Sequence, residues 1–301
     1  MFELIQFQSE GAVMRGRLYR ARGRASSPCI VMTHGTSATI RMVAEDYANV
    51  FNRSGMSVLL YDHRNFGESG GEPRQEINPW IQARGYRDAF AFLRTQPEID
   101  GKKIALWGDS YSATQVLVAG AIIGGVAAIV AQIPVCGAEL PAIEPSEDNF
   151  EVLKSIFDLG DVSGTPETTI GPLPVVSSDQ LSAPSLLKPI QAFRWFVEYG
   201  GRHGSGWENR ATRVVPPTQV PFSPYLTAPY IRAPTLMIVG RNDEMVHCNR
   251  TVQQAVFDKI VAPKRFLEIE GGHFGLLWSP SPLFDEAAAY QAKFLQEILG
   301  A

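Results

Sequence analysis

The sequence predicts an α/β fold: a mostly parallel sheet with helices on both faces, interrupted once by an inserted cap. Three observations carry that prediction. Short apolar runs recur at CIVMT (29–33), SVLLYD (57–62), KIALWG (103–108), AAIVAQ (127–132) and TLMIVG (235–240), with RFLEIE (265–270) after them. Continuous runs of this length are what strands buried on both faces require. Segments with apolar residues at helical spacing lie between them, and strand–helix–strand repeats demand parallel pairing with right-handed crossovers. The alternation stops for roughly 90 residues, 137–228, too long a stretch for a connecting loop.

Each element has its own local reason. Met14, Gly16 and Leu18 alternate with Arg15 and Arg17, the period of a half-exposed strand in a leading antiparallel hairpin. Val43, Tyr47, Val50 and Phe51 recur at helical spacing, and Gly55 stops the helix. Asn78 reads as an N-cap with Pro79 at the first helical position; Ile81, Tyr86, Ala89, Phe90 and Leu93 then form a broad apolar face. Val116 to Val135 carries no charge, but Gly124-Gly125 and Pro134 divide it. It reads as a helix end, a tight turn and a buried strand, not a bilayer span. Two helices are expected in the insertion, near 148–159 and 184–199. A further helix follows at about 249–260, before Pro263, and in a last one Phe284, Ala288, Leu295, Ile298 and Leu299 share a face. The expected division is a core of 1–136 and 229–301 with 137–228 as the cap.

Composition narrows the function. The chain has 301 residues, about twice the usual domain length of ~150. It is 45% apolar and 19% charged, which fits a globular enzyme and excludes a disordered chain. Its 27 basic against 31 acidic residues leave no electrostatic footprint for nucleic acid or anionic lipid. No repeat or sustained heptad is present. Cys29, Cys136 and Cys248 are far apart and odd in number, which argues against structural zinc or a disulfide framework and for a reducing, cytoplasmic setting. The opening MFELIQFQSE lacks a basic stretch ahead of an apolar run, so it does not read as a secretory signal.

The chemistry-bearing segments fall just after predicted strands. In GDSYSA (108–113), Ser110 stands between Gly108 and Ser112 at a strand-to-helix junction. Small residues two before and two after a serine permit a turn that lifts its hydroxyl above the sheet edge, at a helix N-terminus. Ser112 departs from G-x-S-x-G, and its side chain must be accommodated. Serine becomes a nucleophile when a base takes its proton and an acid orients that base. His273 in EGGHFG and Asp243 in VGRNDEMV each follow a strand; Glu244 is the rival carboxylate. His34 reads as an orienting loop residue, and the charges of DHRNFGESGG (62–71) as structural. Oxyanion donors are expected from the backbone N–H groups of Thr36, in HGTSAT, and of Tyr111.

The order Ser110, Asp243, His273 resembles that of the α/β-hydrolase superfamily, and the resemblance covers nearly the whole chain. It implies an eight-stranded, mostly parallel sheet. The motifs HG (34–35), YDHRNFGESGGEPRQ (61–75), NPW (78–80), WGDSYSA (107–113) and GRNDEMV (240–246) resemble the dienelactone-hydrolase-related branch. That branch includes bacterial serine hydrolases and the fungal polyketide transferase/thiohydrolase group. Its members typically show G-x-S-[FY]-S-G-G, where this chain has Ala113 and Thr114 in place of the trailing glycines. True dienelactone hydrolases place cysteine where Ser110 stands, and haloalkane dehalogenases and epoxide hydrolases need aspartate there.

The expectation is therefore a serine hydrolase that cleaves a small-molecule ester, thioester or lactone with a bulky apolar acyl group through an acyl-enzyme, without a cofactor or metal. Acyl transfer by the same residues, carbon–carbon bond hydrolysis, and a catalytically idle binding module stay open, as does a homodimer. Phe193, Trp195, Phe196, Tyr199, Trp207, Phe222, Tyr225 and Tyr230 crowd the later part of the insertion. Because that segment must return over the active edge, an aromatic pocket is expected there, with Trp195, Tyr199 and Trp207 as substrate contacts.

Overall fold

A computed structural model describes residues 1–23, 25–159, 168–216 and 218–301. The leading hairpin pairs β1 (Glu3–Ser9) with β2 (Ala12–Tyr19) antiparallel. The first alternating stretch then runs β3 (Ser27–Met32), α1 (Val43–Arg53), β4 (Ser57–Tyr61), the short β5 (Glu76–Ile77) and α2 (Pro79–Leu93). It continues through β6 (Ile99–Asp109), α3 (Ser110–Ile122) and β7 (Ala128–Gln132). The insertion carries α4 (Glu147–Leu159), β8 (Thr168–Leu173), α5 (Ile190–Gly200), β9 (Ala211–Val215) and α6 (Pro224–Thr227). The alternation resumes with β10 (Thr235–Gly240), α7 (Arg250–Lys259), β11 (Lys264–Ile269), the single turn α8 (His273–Leu276) and α9 (Pro282–Leu299).

Eight strands form the main sheet in the order β1-β2-β4-β3-β6-β7-β10-β11, parallel from β4 onward. Side chains alternate between its two faces as the pleat requires. Ile30, Val58 and Trp107 pack with α1 and α9, whereas Val31, Leu59 and Leu106 pack with α2, α3 and α7. The uncharged stretch at 116–135 divides where the glycines stand: α3, a turn with Gly125 at φ 85°, then β7. Because α3 is buried nearly all round, most of its residues are apolar or small. Among the described residues, no helix is long and apolar enough to cross a membrane.

Three local expectations are corrected, and one feature was not anticipated. The strand at Met14–Leu18 is not half-exposed throughout: Arg17 is buried as well, bonded to Glu45, which also accepts the Tyr19 hydroxyl at 2.9 Å. The helix expected over 184–199 begins only at Ile190. Pro189 holds the residue before it out of helical geometry, and Leu186 and Leu187 donate instead to the carbonyls of Pro174 and Val175 at 3.0 and 2.9 Å. In α9, Ile298 is 36% exposed, because it lies roughly 100° round the helix from the buried Leu299 line. Finally, β5, β9 and β8 form a second, three-stranded sheet in that order. The two residues of β5 are too few to register as a sequence pattern.

A buried amide chain ties the last helix to the sheet. Trp107 Nε1 donates to Gln291 Oε1 at 2.6 Å, and Gln291 Nε2 donates to Gln132 Oε1. Gln132 and Gln291 are fully buried. Gln291→Ala should strand the indole N–H and the Gln132 carbonyl inside the core, lowering unfolding free energy by about 2–4 kcal/mol in a urea titration.

Candidate active site

Parallel pairing brings the ends of β3, β6, β10 and β11 to one edge of the sheet, and the predicted residues sit just beyond them. Ser110 follows β6 with φ 53°, a left-handed backbone uncommon for a residue with a side chain. The turn is enforced by contacts on both sides. A Cβ on Gly108 would lie 2.4 Å from the Ser112 carbonyl oxygen, and one on Gly35 would lie 2.8 Å from Ser110 Cβ. Ser112 fits where glycine was expected because its hydroxyl closes the turn. Ser112 Oγ accepts from the Asp109 N–H at 2.9 Å and reaches Asp109 Oδ1 at 3.2 Å. Burial pushes the Asp109 carboxyl up to about 6.

His273 and Asp243 complete a line of hydrogen bonds. His273 Nε2 lies 2.9 Å from Ser110 Oγ, and His273 Nδ1 lies 2.9 Å from Asp243 Oδ2. Ser110 retains 9% exposure and His273 1%, and both line a cavity. Burial disfavours the imidazolium, but the Asp243 charge and its hydrogen bond outweigh that cost, holding the His273 pKa above the ordinary 6.5. Asp243 Oδ1 accepts from the Met245 N–H at 2.9 Å, which fixes the carboxylate plane. The helix that follows is capped by Asn249, not by Asp243. The rival Glu244 serves the backbone instead. It accepts the N–H groups of His273 at 2.7 Å and Phe274 at 3.4 Å, anchoring the turn α8.

The supporting loop is built as the sequence predicts. His34 Nδ1 lies 2.9 Å from the Gly35 carbonyl, and burial lowers the ring to about 4, so it is neutral. Asp62 accepts the N–H groups of Ile40 and Glu68, both at 3.0 Å, which organises the 62–71 turn. Gly67 is required there, since a Cβ would meet Asp62 at 2.2 Å. Thr36 and Tyr111 both line the cavity beside Ser110. Tyr111 lies in the first turn of α3, where backbone N–H groups have no intrahelical acceptor.

The cavity measures about 460 Å³. Of the expected substrate contacts only Trp195 reaches it, joined by Phe196. Tyr199 is fully buried with its hydroxyl 3.1 Å from the Ser279 carbonyl, and Trp207 packs on Phe196 at 5.3 Å; neither lines the cavity. Phe222 packs edge-on to Trp80, Tyr225 donates to Glu144, and Tyr230 stacks on Phe150. The walls are mainly aliphatic, supplied by Ile77, Leu173, Leu186, Leu187, Met245 and Leu277. These residues come from five separate segments, so no local run of sequence marked them. Arg213 was also missed; it lines the same cavity from the middle strand of the small sheet.

Among the described residues one cluster brings together candidate cation ligands: atoms of Asp243, Cys248 and His273 lie within 4.8 Å of one another. Its chemistry does not suit one. Burial and then the Asp243 charge push the Cys248 thiol well above its usual range, so it stays protonated. The His273 nitrogen that faces it is already engaged by Asp243, with Cys248 Sγ at 3.5 Å.

Comparison with known proteins bears on the family and the fold. The alpha/beta hydrolase family model matches residues 30–288. A thiohydrolase of Eupenicillium brefeldianum is 29% identical, covering 97% of this chain and 93% of its own. The polyketide transferase claH of Penicillium crustosum is 39% identical over 40% of each chain. The chain spans only 32% and 44% of the length of two further curated thiohydrolases that it matches. Among solved structures, the alpha/beta hydrolase GrgF from Penicillium sp. sh18 superposes with a TM-score of 0.73, at 24% identity and full coverage of both chains. A match running from the first parallel strand into the last helix, together with this sheet order, places the chain in the alpha/beta hydrolase family.

Proposed function

We propose that this protein is a serine hydrolase that cleaves a thioester or ester of an apolar acyl group through an acyl-enzyme. The observation that carries the reading is the Ser110–His273–Asp243 line, both contacts at 2.9 Å, at the wall of a mainly aliphatic cavity. In this reading Ser110 Oγ attacks the acyl carbonyl while His273 Nε2 takes its proton and then delivers it to the leaving thiol or alcohol. Asp243 holds the imidazole tautomer and stabilises the imidazolium. The N–H groups of Thr36 and Tyr111 receive the developing oxyanion. Water then attacks the acyl-enzyme with His273 again as base. Trp195 contacts the acyl group, with the aliphatic walls in place of the expected aromatic ones. Residues 137–228 act as the cap, and three unpaired thiols suit a cytoplasmic setting.

Thioesters are favoured over simple esters by the relatives named thiohydrolases. The relative named a polyketide transferase supports a second outcome from the same acyl-enzyme, transfer to an alcohol or amine acceptor. Product analysis in the presence of such acceptors separates the two; acid as the sole product removes transfer.

Ser110→Ala should reduce kcat by about 10⁴–10⁶-fold on a nitrophenyl ester, with folding intact by circular dichroism. Retained turnover would refute the mechanism. The acid limb of kcat/KM should reflect one group titrating above 6.5, since His273 must be neutral to act as base and its pKa is raised. Asp243→Asn should move that limb downward, because the charge that raises the pKa is gone, and should cost about 10³–10⁴ in kcat through the wrong tautomer. An unmoved limb would show that another group controls the profile. Along a nitrophenyl ester series, kcat/KM should climb from acetyl over several carbons, by at most about 4-fold per methylene. A maximum at acetyl would show that the acyl group lies elsewhere.

A further inference from the structure

Arg213 stands out in the wall of the cavity. In the three-stranded sheet it pairs in register with Ile77 of β5 on one side and Ile170 of β8 on the other. All three residues line the cavity, so a half-buried guanidinium is set between two isoleucines in one row of a mainly apolar wall. Arginine is placed against apolar surface at a cost unless an anion meets its planar donor fork. Among the described residues no carboxylate pairs with it. The acidic residue in the cavity wall, Asp109, is instead held in the turn by Ser112. The other polar groups there share Arg213's sign or are neutral. Lys188 lies toward the exposed side, donating to the Ala183 carbonyl at 3.0 Å. His247 is kept neutral by burial and then by the Arg213 charge, and that same charge reaches Tyr111, the residue after Ser110.

We propose that Arg213 is a specificity-determining residue that binds an anionic group of the substrate, so that the natural substrate is a charged thioester or ester and not a wholly apolar one. The chemistry it recognises is an oxyacid anion, which a substrate can carry in two places: a carboxylate on the acyl chain or a phosphate on the thiol leaving group. The proposal rests on the hydrolase reading for its substrate type, while the guanidinium's role as an anion site stands on the cavity wall. A neutral substrate would leave the guanidinium without its partner, and sites of that kind discriminate strongly against analogues that lack the matching group.

The test compares wild type, Arg213→Gln and Arg213→Lys on two matched pairs. The first is the nitrophenyl ester of octanoate against the mono-nitrophenyl ester of suberate, which adds a terminal carboxylate. The second is octanoyl-phosphopantetheine against octanoyl-pantetheine, which lacks the phosphate. Arg213→Gln should lower kcat/KM by about 10- to 100-fold for the anionic member of one pair, with the neutral member changed no more than about 3-fold. Arg213→Lys should recover part of the loss. A selective loss in the first pair places the anion on the acyl chain; in the second, on the leaving group. Equal effects on the charged and neutral members of both pairs overturn the proposal. Binding of the same four compounds to Ser110→Ala protein, with and without Arg213→Gln, reads the anion site without turnover. Loss of the anionic preference on Arg213→Gln there supports the proposal even if no wild-type hydrolysis is found, and no anionic preference in either protein refutes it. Absence of wild-type hydrolysis counts against the hydrolase reading alone.

Discussion

Everything at this site depends on one geometric constraint: strands paired in parallel present all their carboxyl ends to the same edge. Residues far apart in the chain therefore meet there without any local reason to do so. The loop after β3, the turn after β6, and the segments after β10 and β11 converge within hydrogen-bonding distance. The sharpest of these turns holds Ser110 in a left-handed backbone. Strain of this kind persists only where the surroundings over-determine it. Here the absent side chains of Gly35 and Gly108 allow the approach, and the Ser112 hydroxyl replaces the hydrogen bonds that a tight turn would otherwise leave to water.

The second layer is electrostatic, and it gives two adjacent carboxylates different roles. Asp243 faces the imidazole, while Glu244 accepts two backbone N–H groups of the turn that carries it. Asp243 thus contributes most to the ring's proton affinity, while Glu244 adds its charge to that effect and fixes the backbone that carries the ring. Burial alone would lower the pKa of His273, as it does for His34 and His63, which lack a carboxylate bonded to the ring in the same way. The comparison shows how nearby carboxylates, Asp243 foremost and then Glu244 and Asp109, reverse the effect of desolvation.

The insertion contributes through its backbone as much as through its side chains. By pairing β9 with β5, a piece of chain preceding α2, it fastens the small sheet to the segment that also packs the core. Arg84 adds a second tie: its guanidinium donates to the carbonyls of Phe157 and Ile156 at 2.9 and 2.7 Å, satisfying the end of α4. Aromatic side chains in the insertion largely serve this packing. Trp195 does both, donating to the Leu277 carbonyl at 2.7 Å while facing the cavity.

By itself the sequence determined the alternation of strands and helices, because burial on two faces demands continuous apolar runs and helices demand their own period. It also determined Ser110, Asp243 and His273 as the residues to watch, since small neighbours mark a tight turn and strand ends mark the edge. Ser112 was legible as a departure, but not its compensation, which is a hydrogen bond and not a pattern. Only the tertiary structure separated Asp243 from Glu244, for adjacent carboxylates on a loop differ solely in where they point. It also decided that Tyr199 and Trp207 are packing residues and that the cavity wall is aliphatic. Apolar residues at core and pocket positions obey the same burial rule, so composition cannot tell them apart. Arg213 was illegible for a related reason: an arginine in a short strand reads as an exposed charge until its neighbours across the sheet are known.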